Sequence, residues 1–211
     1  MYYTNFLEKS DNRWIYPEES GKYHIVEYDH DVSTSPELAI VEYFAGKMNV
    51  RKRQLAIQLK EDDIVIQSGA MQWFTGDVIV KTDIKSVGNL AKKLAGSAVT
   101  KETVVKPRYT GTGLVVLEPS YKYIFLEDLD KWGSGMVIDD NMFLACDGDV
   151  DMKVVARKNI SSAVLGGEGL FNTCLSGKGI VALESNVPKE ELVFVDLNND
   201  VLKVDGSFVV A

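Results

Sequence analysis

Leu165-Gly166-Gly167-Glu168-Gly169-Leu170-Phe171 is the stretch whose reading decides the fold. Three glycines in four positions, flanked by apolar residues, predict a sharp backbone turn leading into a buried strand. Glycine is the default there because it enters positive φ without a steric cost. A weaker copy stands upstream as Leu94-Ala95-Gly96-Ser97-Ala98-Val99-Thr100. Glu168 replaces the small Ser97 of that copy and has no structural explanation at this level.

The repetition extends outward on both sides. Gly76-Asp77-Val78 overlays Gly148-Asp149-Val150 at a shift of 72, which also brings Val65 onto Val137, Ile66 onto Ile138 and Lys81 onto Lys153. Gly111-Thr112-Gly113 overlays Gly177-Lys178-Gly179 at a shift of 66, carrying Leu117-Glu118 onto Leu183-Glu184. The repeat divides the chain into two units, at about 63–129 and 135–200, and residues 201–211 look like the start of a third. Each unit has one apolar face that it cannot bury alone. Two of them share a core as a sandwich or rolled barrel.

Strand patterning supports this. Leu55, Ile57 and Leu59 alternate with polar residues, as in a half-buried strand. Further strands are expected at 64–66, 71–74, 78–80, 114–117, 121–126, 136–138, 142–146, 150–156, 170–175, 180–183, 192–197 and 201–210, with a turn at Thr75-Gly76 and a hairpin turn at Asp147-Gly148. Residues 85–94 are the one helical interruption in this body. The duplicated β domain is thus 47–211. Residues 1–46 form an N-terminal extension that packs on it through Trp14, Tyr16, Tyr23, Ile25 and Tyr28. Within the extension, Ser35-Pro36-Glu37 reads as a helix start, followed by Leu38, Val41 and Ala45 at helical spacing and a stop at Gly46.

Composition bounds the function. The chain has 211 residues and a net charge of −8, and the deficit is uneven: residues 1–108 hold 15 basic and 15 acidic side chains, residues 109–211 hold 8 and 16. An acidic second half repels nucleic acid and anionic membrane. The local exception, Lys47, Arg51, Lys52 and Arg53, is expected to be a solvated edge or loop. No apolar run is long enough to span a membrane, and the N-terminus has no secretory or transit pattern, so a soluble cytoplasmic protein is expected. Cys146 and Cys174 read as two reduced core thiols.

Taken together, residues 165–171, the adjoining Leu175-Ser176-Gly177-Lys178-Gly179, Ser68-Gly69-Ala70-Met71, Leu94-Ala95-Gly96 and the late Val204-Asp205-Gly206-Ser207-Phe208-Val209 resemble the signature of the "altered inheritance of mitochondria" family, a mostly bacterial group. The resemblance covers about residues 47–211 and leaves 1–46 outside. It implies an all-β fold with few short helices, a duplicated antiparallel β-sandwich or double-stranded β-helix similar to the tryptophan RNA-binding attenuation protein, in an oligomer. Eukaryotic members of the family relate to mitochondrial organisation, which gives no reaction.

Catalytic chemistry finds little support in the residues. Gly166, Gly167, Glu168 and Gly169 do not match G-x-G-x-x-G, and Gly177-Lys178-Gly179 lacks the residues of a phosphate loop, so all six positions read as structural turns. Asp147, Asp149 and Asp151 lack the glycine and the distal carboxylate of a calcium loop. His24 and His30 would lie about 20 Å apart along a strand, and no histidine comes after them, which removes cupin-like metal chemistry and a histidine-activated nucleophile. Trp73, Trp132 and Tyr109 read as packing residues. No catalytic residue, metal or cofactor is expected. The expected function is that of a non-enzymatic structural or interaction protein, a homo-oligomer that self-associates through strand edges or apolar faces. A module binding a small, amino-acid-like ligand is the alternative, and RNA binding, disfavoured by charge, is third.

Overall fold

The computed structural model describes residues 4–8, 13–29, 33–81, 106–156 and 171–204. The glycine turn from Leu165 to Leu170 lies outside them, and with it Gly166, Gly167, Glu168 and Gly169; so do its upstream copy, the expected helix at 85–94 and His30. The chain is all-β with one short helix, and its antiparallel sheets curl into a half-barrel. The elements are β1 (Trp14–Ile15), β2 (Glu19–Ser20), β3 (Tyr23–Tyr28), α1 (Ala39–Lys47), β4 (Arg53–Ile66), β5 (Met71–Lys81), β6 (Arg108–Leu117), β7 (Tyr123–Asp128), β8 (Met136–Asp139), β9 (Phe143–Asp147), β10 (Asp151–Ala156), β11 (Phe171–Ser176) and β12 (Ile180–Ser185).

β4 is the axis. It pairs with β6 along one edge and, along the other, with β3 near its start and β9 at its end. Side chains alternate between its faces. Leu55, Ile57, Leu59, Ile64 and Ile66 join one buried cluster with Tyr23, Val115 and Leu126. Ala56 points the other way, into a smaller cluster with Phe6, Val26 and Leu114. A third cluster holds Phe125, Met136, Ile138, Phe143, Cys146, Leu175 and Leu183.

The pairing itself repeats. In the first half Trp73 faces Val116, Phe74 faces Val115 and Val80 faces Tyr109. Raise the first partner by 72 and the second by 66, and these become Ala145 with Ala182, Cys146 with Val181 and Met152 with Leu175, all of which are paired. The irregularity between Met71 and Trp73 recurs between Phe143 and Ala145, opposite Leu183 and Ala182. The same shifts carry Ile64 with Tyr109 onto Met136 with Leu175, and Val65 with Arg108 onto Val137 with Cys174. The start of β4, before its irregularity between Lys60 and Asp62, corresponds to β7 at a shift of 70: Ile57 with Val115 becomes Glu127 with Val181. By pairing, then, the copies run from β4 to β6 and from β7 to β12. This places β7 in the second copy.

Four local expectations are corrected. No turn occurs at Thr75-Gly76; β5 runs straight through, with Gly76 as a bend at φ 95°. Asp147-Gly148 is a turn but closes no hairpin, because β9 pairs with β4 and β12 while β10 pairs with β11 in another sheet. Residues 192–197 and 201–204 form no strand. A strand needs a neighbour, and Leu192 alone packs on the core while Val193, Phe194, Val195, Leu197, Val201 and Leu202 are exposed. Helix α1 begins at Ala39, after a turn in which the Leu38 N–H bonds the Ser35 carbonyl. Ser35 caps no helix; its side chain instead hydrogen-bonds Glu37 and lowers the pKa of that exposed carboxyl.

Candidate interaction surface

The two copies meet where β4 and β9 pair, with Ile64 opposite Asp147, Val65 opposite Cys146 and Ile66 opposite Ala145. Asp147 pins this seam. Its Oδ1 accepts from the Tyr23 hydroxyl at 3.0 Å and from Lys22 Nζ at 2.9 Å, and its Oδ2 accepts from the Ile180 N–H at 2.8 Å. Burial first, and then the Asp147 charge, push the Tyr23 phenol well above its ordinary pKa, so it remains a donor. Arg108 closes the far side, pairing with Asp63 and donating to the Gly148 carbonyl at 3.0 Å. Asp147 is therefore a tied structural group rather than one of three exposed acids; Asp149 and Asp151 are exposed.

The other residues singled out in the sequence fall into structural places. Gly177 and Gly179 sit at the corner between β11 and β12 with φ of 100° and 121°. The Gly179 carbonyl accepts from the Leu129 N–H at 3.0 Å, and a Cβ on Gly179 would stand 2.6 Å from Asp147 Oδ2. Cys146 is buried, and burial pushes its thiol up to about 12; Cys174 is half-buried, and both are free. His24 is on β3, 3.5 Å from Glu19. Trp73 and Tyr109 pack on the core, and Trp132 packs there while donating to Glu127 at 3.3 Å.

The basic run departs from expectation. Arg53 is buried, bonded to Glu27 at 2.7 Å and to the Asn49 carbonyl at 3.0 Å, and stacked over Tyr123 at 4.2 Å. Arg51 joins Glu27 at 3.2 Å. Register explains this: β3 sets Glu27 directly opposite Arg53. Sequence reasoning missed the pair because 26 residues separate its members. Beside it, Tyr28, Glu42, Arg51 and Tyr121 line a hollow of about 10 Å³, room for about one water.

What remains open to partners is backbone edge and apolar surface. Among the described residues, β5 pairs only with β6, and β8 only with β11, leaving one edge of each unpaired. Phe74, Ile79 and Val80 are exposed on β5, and Val137 on β8. Helix α1 buries none of its residues: Ile40 is 72% exposed, Phe44 61% and the adjacent Met48 75%. No helix among the described residues is long and apolar enough to cross a membrane.

These features define an all-β protein built from two copies of a three-strand, bent antiparallel module. The chain belongs to the family described as mitochondrial biogenesis AIM24, whose model matches residues 47–211. That agrees with the family to which its glycine motifs pointed. A crystal structure of a Streptococcus pyogenes protein, from a structural genomics consortium, is similar at 22% identity with a TM-score of 0.45. The match covers 65% of this chain and 61% of that one, so this chain spans about three fifths of its length. No curated protein matches the sequence.

Proposed function

We propose that the protein is a non-enzymatic structural or interaction protein that works by self-association. The observation that carries this reading is that, among the described residues, β5 and β8 each keep an unpaired strand edge, accompanied by large exposed apolar side chains on β5 and α1. An exposed strand edge is a row of unsatisfied donors and acceptors, and natural monomers blunt such edges with charge, proline or cover. Here charge stands only farther along, at Asp77, Lys81 and Asp139, while Trp73, Phe74, Met136, Val137 and Ile138 are uncharged. Monomeric proteins also seldom leave large apolar patches open. Light scattering of the purified protein at micromolar concentration tests the reading. A mass at a multiple of 23.4 kDa is expected; a strict monomer overturns it.

A further inference from the structure

The repeated register says which edge meets which. Inside the chain, the last residues of β4 pair antiparallel with β9, Ile64 to Asp147, Val65 to Cys146 and Ile66 to Ala145. This is the only strand-to-strand seam, among the described residues, that joins the end of a copy's first strand to the second strand of another copy. The counterpart of Ile64-Val65-Ile66 in the second copy is Met136-Val137-Ile138, nearly the same side chains, and among the described residues that edge is open. The counterpart of Ala145-Cys146-Asp147 in the first copy is Trp73-Phe74-Thr75, and among the described residues that edge is open too.

The open edges are also equipped to form the bond. On β4 the Ile66 N–H bonds the Pro107 carbonyl next to β6, so Val65 turns its own N–H and C=O toward β9. Alternation along a strand makes this unavoidable. By the shared register Val137 turns its N–H and C=O to the open edge of β8. Its side chain is 50% exposed and that of Phe74 39%. The residues that would have to approach are uncharged: Met136, Val137 and Ile138 on one side, Trp73, Phe74 and Thr75 on the other. Thr75 stands where the inner seam has Asp147, which there requires Tyr23 and Lys22 as partners.

We infer that the occupant of these edges is a second copy of this chain, docked head to tail. The β8 edge of one protomer pairs with the β5 edge of the next, Met136 to Thr75, Val137 to Phe74 and Ile138 to Trp73, and so repeats between molecules the seam already made within one. This rests on the self-association proposed above and names its surface. The contact is heterologous, so it closes into a ring or extends according to the rotation per step. It is strand addition, in which the main chain supplies the bonds and the side chains fix the register.

Co-expression of two cysteine variants tests it. Val137→Cys and Phe74→Cys are each placed in a Cys146→Ala, Cys174→Ala background, one with a mass tag, with circular dichroism as the check on folding. Directly opposed positions lie within disulfide reach. The expected result is a mixed, disulfide-linked dimer after mild oxidation and no linked dimer when either variant is expressed alone. Linkage of Val137→Cys to itself, or linkage within a single chain carrying both cysteines, overturns the head-to-tail pairing. So does absence of linkage in protein that still scatters as an oligomer, and in that case self-association stands. A monomer by light scattering removes both. Val137→Pro gives a second readout: it deletes the edge N–H without touching the β11 side, and edge strands tolerate proline. It should leave a folded monomer, and retained oligomers would contradict the inference.

Discussion

The two copies of the module share one pairing register and solve its bend differently. In the first, β5 and β6 run unbroken through the bend and keep both layers in one sheet. In the second, each corresponding strand breaks, β9 from β10 and β11 from β12, and the halves belong to separate sheets. The bend falls at equivalent glycines, Gly76 and Gly113 in the first copy, Gly148 and Gly179 in the second. The difference teaches that the register specifies this fold, while continuity of the ladder across the corner is a local matter. At the first corner the backbones approach so closely that a Cβ on Gly113 would collide with the Thr75 carbonyl. At the second, a Cβ on Gly179 would meet the Asp147 side chain. The first obstacle is strand backbone held by its ladder; the second is one side chain, whose displacement gives up its bonds to Tyr23, Lys22 and the Ile180 N–H.

The largest expected effect comes from that asymmetry. Gly113→Ala should cost about 4 kcal/mol, in the range reserved for forced backbone collisions. Gly179→Ala should cost about 1–3 kcal/mol, as strain at its φ of 121°. Urea denaturation of the two variants checks this, and equal midpoints would erase the distinction between a tight and a loose corner.

A second comparison sets Ile64 against Met136, equivalent residues that are both buried. Among the described residues, Ile64 lies in a strand with neighbours on both edges, Met136 in one with a single neighbour. Truncating either to alanine removes buried carbons, at about 2–5 kcal/mol. Ile64→Ala should fall near the middle of that range and Met136→Ala near the bottom, since an edge strand can settle into the space. If Met136→Ala proves the costlier when measured at low protein concentration, β8 is held by something more than β11.

Much of the fold was legible in the sequence, for a definite reason. Gly76-Asp77-Val78 and Gly148-Asp149-Val150 mark the same bend, and glycine spacing reports bends reliably because few residues can stand there. Strand pairing beyond a bend is not local information. Asp147-Gly148 fixes a turn, but whether β9 and β10 then pair with each other depends on β4, β11 and β12. The same limit applies to 192–197 and 201–204, where β-type patterning is present and, among the described residues, a partner strand is not. Arg53 is the sharpest case. Its surroundings in sequence, Arg51 and Lys52, suggest a solvated cluster, yet β3 brings Glu27 across and makes it a buried ion pair. Of the candidate surface, the turn glycines could be named beforehand, but the open edges could not, because an edge is defined by which strand is missing beside it.

The smallest effect concerns the two cysteines, which occupy different settings in the second copy. Cys146 is on β9, at the seam, and burial raises its thiol to about 12. In the unfolded chain the thiol titrates near 8.5, as model thiols do. The folded state therefore holds its proton where the unfolded state has lost it. Stability from this group is unchanged below about pH 8.5 and declines as pH rises above that, by about 1 kcal/mol per unit until the folded thiol itself titrates. Tyr23 adds a decline of the same sign starting near pH 10, since its phenol is also raised. Denaturation midpoints between pH 8 and 10 should fall in the native protein and stay flatter in Cys146→Ala. Over the same range a thiol reagent should label half-buried Cys174 well before Cys146. Early labelling of Cys146 would mean that the β4–β9 seam opens in solution, and the internal contact could then no longer serve as the template for the contact between copies.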